Sequence, residues 1–184
     1  GSGPSGTVIN AAGKSVAGAE MYLCSGGGSL NIRNGRVEHS QSFPKRVSDA
    51  DGTYAFPAAA EGYTVFVLHQ NGWAEASSED LSEDGKIRLK PWQSIKGVIK
   101  SEAESEGSTK VAAFMHRQDP QQRRIHFSQQ SEVDENGRFS LDWAIPGRWQ
   151  VSQYVQQGNR GIYVQSEHIE IKTGEKADVQ IGGK

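Results

Sequence analysis

The feature that most constrains this chain occurs twice. An acidic turn running into an aromatic strand appears as Asp49-Ala50-Asp51-Gly52-Thr53-Tyr54-Ala55-Phe56 and again as Asp134-Glu135-Asn136-Gly137-Arg138-Phe139-Ser140-Leu141. In such turns the Asp and Asn side chains bond their own backbone and the Gly accepts a positive φ, while alternate residues of the next strand enter a core. A Gly-Val strand opens each half, Gly6-Thr7-Val8-Ile9 and Gly97-Val98-Ile99, and an aromatic-Val strand follows each turn, Tyr63-Thr64-Val65 and Trp149-Gln150-Val151. A repeat fixes the number of folding units, and two copies of about 90 residues suit an immunoglobulin-like sandwich each. Pro ends a strand at Lys90-Pro91-Trp92-Gln93 and leaves no length for a flexible linker, so the expected domains are 6–91 and 92–184, with Trp92 partly buried between them.

Between the turns the chain reads as short strands. Apolar alternation with period two recurs at 63–68, 86–89, 139–141 and 149–155, and further strands are expected at 6–10, 19–24, 95–100, 111–116, 125–127, 168–172 and 177–181. The run Tyr63-Thr64-Val65-Phe66-Val67-Leu68 is apolar enough for burial on both faces. The short polar stretch 74–81 is the one helical candidate. With 22 Gly and two Met the composition also favours turns over long helices, and the fold class is all-β, two tandem immunoglobulin-like sandwiches.

Several function classes drop out on composition. A formal net charge of −2 offers no basic excess for a phosphate backbone, so nucleic acid is not an expected partner. No apolar run approaches the roughly 20 residues of a spanning helix, and no membrane insertion is expected. The single cysteine, Cys24, excludes an internal disulfide and any multi-thiolate metal centre. The opening Gly1-Ser2-Gly3-Pro4-Ser5-Gly6 reads as a cloning remnant ahead of a piece of a longer protein, so the missing signal peptide says nothing about compartment.

At the level of motifs the chain resembles the carboxypeptidase regulatory-like family, the small transthyretin-like or prealbumin-like sandwiches attached to many bacterial secreted and envelope proteins. The first half carries the likeness in its opening strand, its Ser15-Val16-Ala17-Gly18-Ala19 approach to the second strand, and Asp49 to Phe56. The second half carries it in Asp134 to Leu141 and in Ile145-Pro146-Gly147-Arg148-Trp149-Gln150-Val151, where Trp replaces the usual Tyr. It departs from the pattern at Ser108-Thr109-Lys110-Val111-Ala112-Ala113, which lacks the Gly-Ala step. The resemblance implies an extracytoplasmic setting and a non-catalytic role. Sandwich enzymes that hydrolyse hydroxyisourate need a C-terminal Tyr-Arg-Gly-Ser that this chain lacks. Pilin domains of related fold carry Lys–Asn cross-links between first and last strands, and neither 87–89 nor 177–181 contains an Asn.

Reactive side chains are scattered. His116 and His126 would approach each other across a hairpin around Asp119-Pro120-Gln121, but no third ligand is in sight, so no metal or other cofactor is expected. Asp49 with Asp51, and Asp134 with Asn136, imitate half a calcium loop without its closing Glu. No Ser lies in a nucleophile elbow, and Cys24 has no neighbouring His. The residues best suited to touch a ligand or partner are Trp73 and His69, flanking the Asn71-Gly72 turn, and the Arg117, Arg123 and Arg124 group at a hairpin tip. Tyr54, Phe56, Phe139 and Trp149 are expected in cores. The functional expectation is a non-catalytic spacer or protein-interaction module. The alternative, a carbohydrate-binding accessory module, would require a row of coplanar exposed aromatics.

Overall fold

A computed structural model describes residues 2–60, 62–100, 109–118 and 124–183; the side chains of His116, Gln118 and Arg124 lie outside that description. The described residues form sixteen strands and no helix. Two compact units are present, one made of residues 1–31, 35–92 and 117–125, the other of 32–34, 93–116 and 126–184.

In the first unit the strands are β1 (Ser5–Ile9), β2 (Glu20–Cys24), β3 (Ser29–Arg33), β4 (Arg36–Gln41), β5 (Lys45–Val47), β6 (Thr53–Ala55), β7 (Thr64–His69), β8 (Gly72–Ser77) and β9 (Lys86–Arg88), the last two residues of β3 counting with the second unit. One sheet has the order β6-β1-β9, with β1 antiparallel to β6 and parallel to β9; the other has the order β5-β2-β7-β8. Val8, Met21, Leu23, Tyr54, Phe56, Val65, Val67, Ala74, Ala76 and Ile87 fill the space between them. Gly6 is required where β1 meets the chain before β9, because a Cβ there would sit 2.0 Å from the Gly85 oxygen. The Tyr54 hydroxyl donates to that same oxygen at 2.8 Å, and burial pushes the phenol well above its ordinary value.

The second unit contains β10 (Gln93–Ile99), β11 (Lys110–Gln118), β12 (Arg124–Glu132), β13 (Arg138–Ala144), β14 (Gly147–Gln157), β15 (Arg160–Ile171) and β16 (Ala177–Ile181), the far ends of β11 and β12 counting with the first unit. Its small sheet runs β13-β10-β16, with β10 antiparallel to β13 and parallel to β16. The large sheet runs β15-β14-β11-β12. Beyond β12 lies the Ile32–Asn34 end of the β3 hairpin, where Asn34 N–H donates to Ser128 O at 3.0 Å.

Topology and register match element by element, so the repeat is structural. Glu20 pairs with Leu68 where Lys110 pairs with Tyr154, and Leu68 pairs with Trp73 where Tyr154 pairs with Tyr163. Both acidic turns close the same way. Gly52 and Gly137 each have φ 76, and Val8 and Ile99 donate to their carbonyls at 2.8 and 2.7 Å. The first copy adds the β3–β4 hairpin, turned by Asn34 and Gly35 at φ 48 and 74, a two-residue turn of the kind that favours Asn-Gly.

Two local expectations are corrected. Residues 74–81 are not a helix: Ala74 and Ala76 alternate with Glu75 and Ser77 along β8, which pairs with β7 over its whole length. The polar turns after Ser77 dilute a period of two into an unpatterned stretch. Strand β15 begins at Arg160, well before the expected 168, because its first half is exposed and carries no buried alternation. By contrast β7 is buried on both faces, as its apolar run requires.

Candidate functional site

Strand alternation sends one set of side chains from each large sheet into the core and the other set outward. In the first unit the outward set includes Tyr22, Cys24, Phe66, Leu68 and Trp73, and all five are nonetheless buried. The Arg117 guanidinium sits 5.9 Å from the Phe66 ring centre and pairs with Glu75 at 2.8 Å.

The corresponding outward set in the second unit is Phe114, Tyr154 and Tyr163 with Ala112 and Ser152 between them. The Tyr163 ring lies 5.3 Å from both Phe114 and Tyr154, at 89° and 58° to their planes. Beneath the rings Ser152 and Ala112 are 1% and 3% exposed, whereas Tyr163 is 56% exposed. Gly161 makes the arrangement feasible, since a Cβ there would fall 1.6 Å from the Tyr154 hydroxyl. A bulge at Gln165, φ 54, sets Ser166 rather than Gln165 opposite Ser152 and ends the regular ladder just beyond the aromatics. Ile162, the neighbour of Tyr163, is 38% exposed. The outward face therefore carries an aromatic cluster that reaches solvent at Tyr163 on the edge strand, with a phenol hydroxyl available as a donor, while Ile162 lies on the other face of the same strand.

The sequence-based candidates fall elsewhere. Trp73 is 6% exposed, its ring stacked 6.4 Å from Phe66 with the Lys90 ammonium 5.3 Å from its centre. His69 accepts the Asn71 N–H on Nδ1 at 3.1 Å and lines a concavity of about 510 Å³ with Asn10, Ser15, Asn71, Leu89 and Pro91. Arg117 is held by Glu75 and Phe66 within the first unit. Arg123 lies outside the described residues, as does the side chain of Arg124. Trp92 is half-buried and donates its indole N–H to His69 O at 2.8 Å.

For the metal candidates, β11 and β12 are neighbours, but the His116 side chain is outside the description, so the His116–His126 pair is not placed. Among the described residues no three His, Cys, Asp or Glu side chains gather as a metal set. Asp49 and Asp134 spend their Oδ1 atoms on their own turns: Asp51 and Thr53 N–H donate to the first, Asn136 and Arg138 N–H to the second. Cys24 is fully buried.

A concavity of about 840 Å³ lies over β13-β10-β16, lined by Lys96, Val98, Arg138, Ser140, Asp178 and Gln180. Its lining carries charges of both signs. Among the described residues no helix is long and apolar enough to cross a membrane.

Phe114, Tyr154 and Tyr163 escape sequence reasoning, although one signal is available. Tyr163 occupies the register position of Trp73, and a repeat aligned through its second hairpin pairs the two aromatics directly.

No protein family matches the chain, and no curated protein is similar to it. The carboxypeptidase regulatory-like resemblance therefore rests on its motifs. Among solved structures, the chain is similar to GBS52, the minor pilin of Streptococcus agalactiae, at 14% identity and a TM-score of 0.42, covering 97% of this chain and 94% of that one. It is also similar to a streptococcal ancillary pilin at 11% identity and a TM-score of 0.36, covering 98% of this chain and 62% of that one.

Proposed function

We propose that the chain is a non-catalytic pair of β-sandwich modules, 6–91 and 92–184, from an extracytoplasmic protein. Its work is to space and join components through protein contacts made on the outer face of the second module. The observation that carries this reading is Tyr163, 56% exposed at the head of a three-ring cluster, on a face whose counterpart in the first unit is buried. Contiguous exposed apolar patches mark interaction sites, and Tyr is enriched there because a rigid ring covers area at little entropic cost while its hydroxyl finds a partner. Ring planes at 58° and 89° favour a protein over a sugar, since a glycan platform presents parallel faces and this cluster presents edges. The motif resemblance to carboxypeptidase regulatory-like domains supports the extracytoplasmic setting and the accessory role; that part is analogy at the level of fold.

A photo-crosslinking residue tests the reading. Placed at 163 in the intact protein on its producing cells, it should yield protein adducts; placed at buried position 73, it should yield none. Saturable polysaccharide binding abolished by Tyr163→Ser would overturn the proposal in favour of a carbohydrate module. Peptide or ester hydrolysis abolished by joint His116→Ala and His126→Ala, with the fold intact, would overturn it in favour of an enzyme.

A further inference from the structure

We infer that the free edge of β15 pairs with the same strand of a second copy of this chain, antiparallel, with Tyr163 on the two-fold axis and Arg160 against Glu167 of the other copy. The inference rests on the interaction reading and names its partner.

β15 is outermost in its sheet. Its inner side pairs with β14 from Arg160 to Ile171, and no described strand pairs with its other side. Such an edge presents a row of N–H and C=O groups that natural sheets blunt with charges, prolines or bulges. Here the blunting is partial. The bulge sits at Gln165, and the charged residues are Arg160 before it and Glu167 and Glu170 after it. Between them Gly161-Ile162-Tyr163-Val164 has neither charge nor proline. It also holds two of the three exposed large hydrophobic side chains among the described residues, Ile162 and Tyr163.

The faces limit the register and the flanking charges select within it. Residues opposite each other across an antiparallel pair lie on the same face. On β15 the outer-face residues are Gly161, Tyr163 and, past the bulge, Ser166, while Ile162, Val164 and Glu167 belong to the inner set. Setting Tyr163 opposite its own copy places Ile162 against Val164. The extra residue Gln165 is then absorbed on both strands alike, Gly161 meets Ser166, and Arg160 meets Glu167. Every pair matches in face, and the two charges complement each other at both ends of the ladder. A parallel arrangement would instead bring Arg160 beside Arg160. The aromatic cluster runs unbroken through the axis, so Tyr163 gains a cross-strand aromatic neighbour on the side now open to solvent.

Sedimentation equilibrium of the full chain tests this. The wild type should show a monomer–dimer equilibrium, and Arg160→Glu and Glu167→Arg should each raise the dimer dissociation constant about tenfold, because each change turns two attractive pairs into repulsive ones. Mixed in equal amounts, the two variants should recover wild-type affinity as a heterodimer. At one end of its ladder the two substituted side chains face each other with their charges exchanged, and at the other end the native Arg160 and Glu167 meet as before. A chain that stays monomeric to ~1 mM overturns the inference. So does a dimer indifferent to both charge reversals, or a mixture that fails to recover. A monomeric chain that still crosslinks from position 163 to a different protein overturns the self-pairing and leaves the interaction reading standing. Tyr163-dependent polysaccharide binding overturns that reading by a separate measurement.

Discussion

The outward faces of the two large sheets occupy the same place in the same topology, yet the first is buried throughout and the second reaches solvent at Tyr163. By register Cys24, Leu68 and Trp73 in the first unit correspond to Phe114, Tyr154 and Tyr163 in the second. The first set is at most 6% exposed; Tyr163 alone is 56% exposed. Residue type does not explain the contrast, because both faces carry large apolar side chains. What differs is cover. The first unit includes the far ends of β11 and β12, from which Arg117 reaches over Phe66 and pairs with Glu75. Over Phe66 the cover thus comes from a segment remote in sequence, and an aromatic left uncovered, as Tyr163 is, is where a partner has something to gain.

The sharpest way to break the comparison is to truncate the two equivalent aromatics. Trp73→Ala should cost about 3–5 kcal/mol, the usual result of emptying a buried aromatic site, because its contacts with Phe66 and its shelter from water are both lost. Tyr163→Ala should cost less than about 1 kcal/mol, since more than half of the residue is already in water. Urea unfolding of the full chain, with each unit's transition fitted separately, gives both values. Equal losses would mean that the two faces are not different in kind.

That contrast also marks where the sequence stops being legible. The acidic turns can be read because their chemistry is local: Asp49 and Asp134 bond the N–H groups two and four residues ahead, and a Gly follows at positive φ. The core strands can be read because alternation reports burial, as in Val65, Val67, Val151 and Val155. Strand β8 is mistaken for helix because turns after Ser77 break its short pattern, and the exposed half of β15 has no buried residues to alternate. Trp73 is only 6% exposed because Phe66 stacks on its ring and the Lys90 ammonium lies over it, and neither contact shows in the local pattern that flanks the Asn71-Gly72 turn.

A smaller difference lies inside the sandwiches. Val67, fully buried, corresponds by register to Gln153, which is 1% exposed and whose side-chain oxygen has no hydrogen-bond partner. An unpaired buried acceptor forfeits its hydration without compensation. Gln153 also borders a concavity of about 330 Å³ lined by Ile99, Thr109, Val133 and Asp134, so its neighbourhood is not tightly filled. Gln153→Met keeps the volume and removes the polar oxygen, and it should leave the second unit's stability unchanged or raise it by up to about 1 kcal/mol. The same denaturation experiment reads it. A loss above about 1 kcal/mol would show that the amide is satisfied by ordered water and that the second core depends on it.

The smallest expected effect separates the two acidic turns. Asp49 receives, besides the N–H groups of Thr53 and Asp51, the Thr53 hydroxyl on its second oxygen; in the other turn Arg138 stands where Thr53 would be. Those donors, the Thr53 hydroxyl foremost, hold the Asp49 carboxyl below the usual carboxylate range. A carboxylate whose folded value is depressed contributes stability above its unfolded value, near pH 4, and loses that contribution as the pH falls through the lower folded value. The site is fully exposed, so the consequence is best seen in the titration itself. Carbon NMR of the Asp49 carboxyl should place its midpoint below the ordinary value, and Thr53→Val should move it upward toward that value while leaving the two backbone donors in place. If Thr53→Val leaves the midpoint where it was, the N–H groups common to both turns are sufficient, and the first turn has no electrostatic advantage over the second.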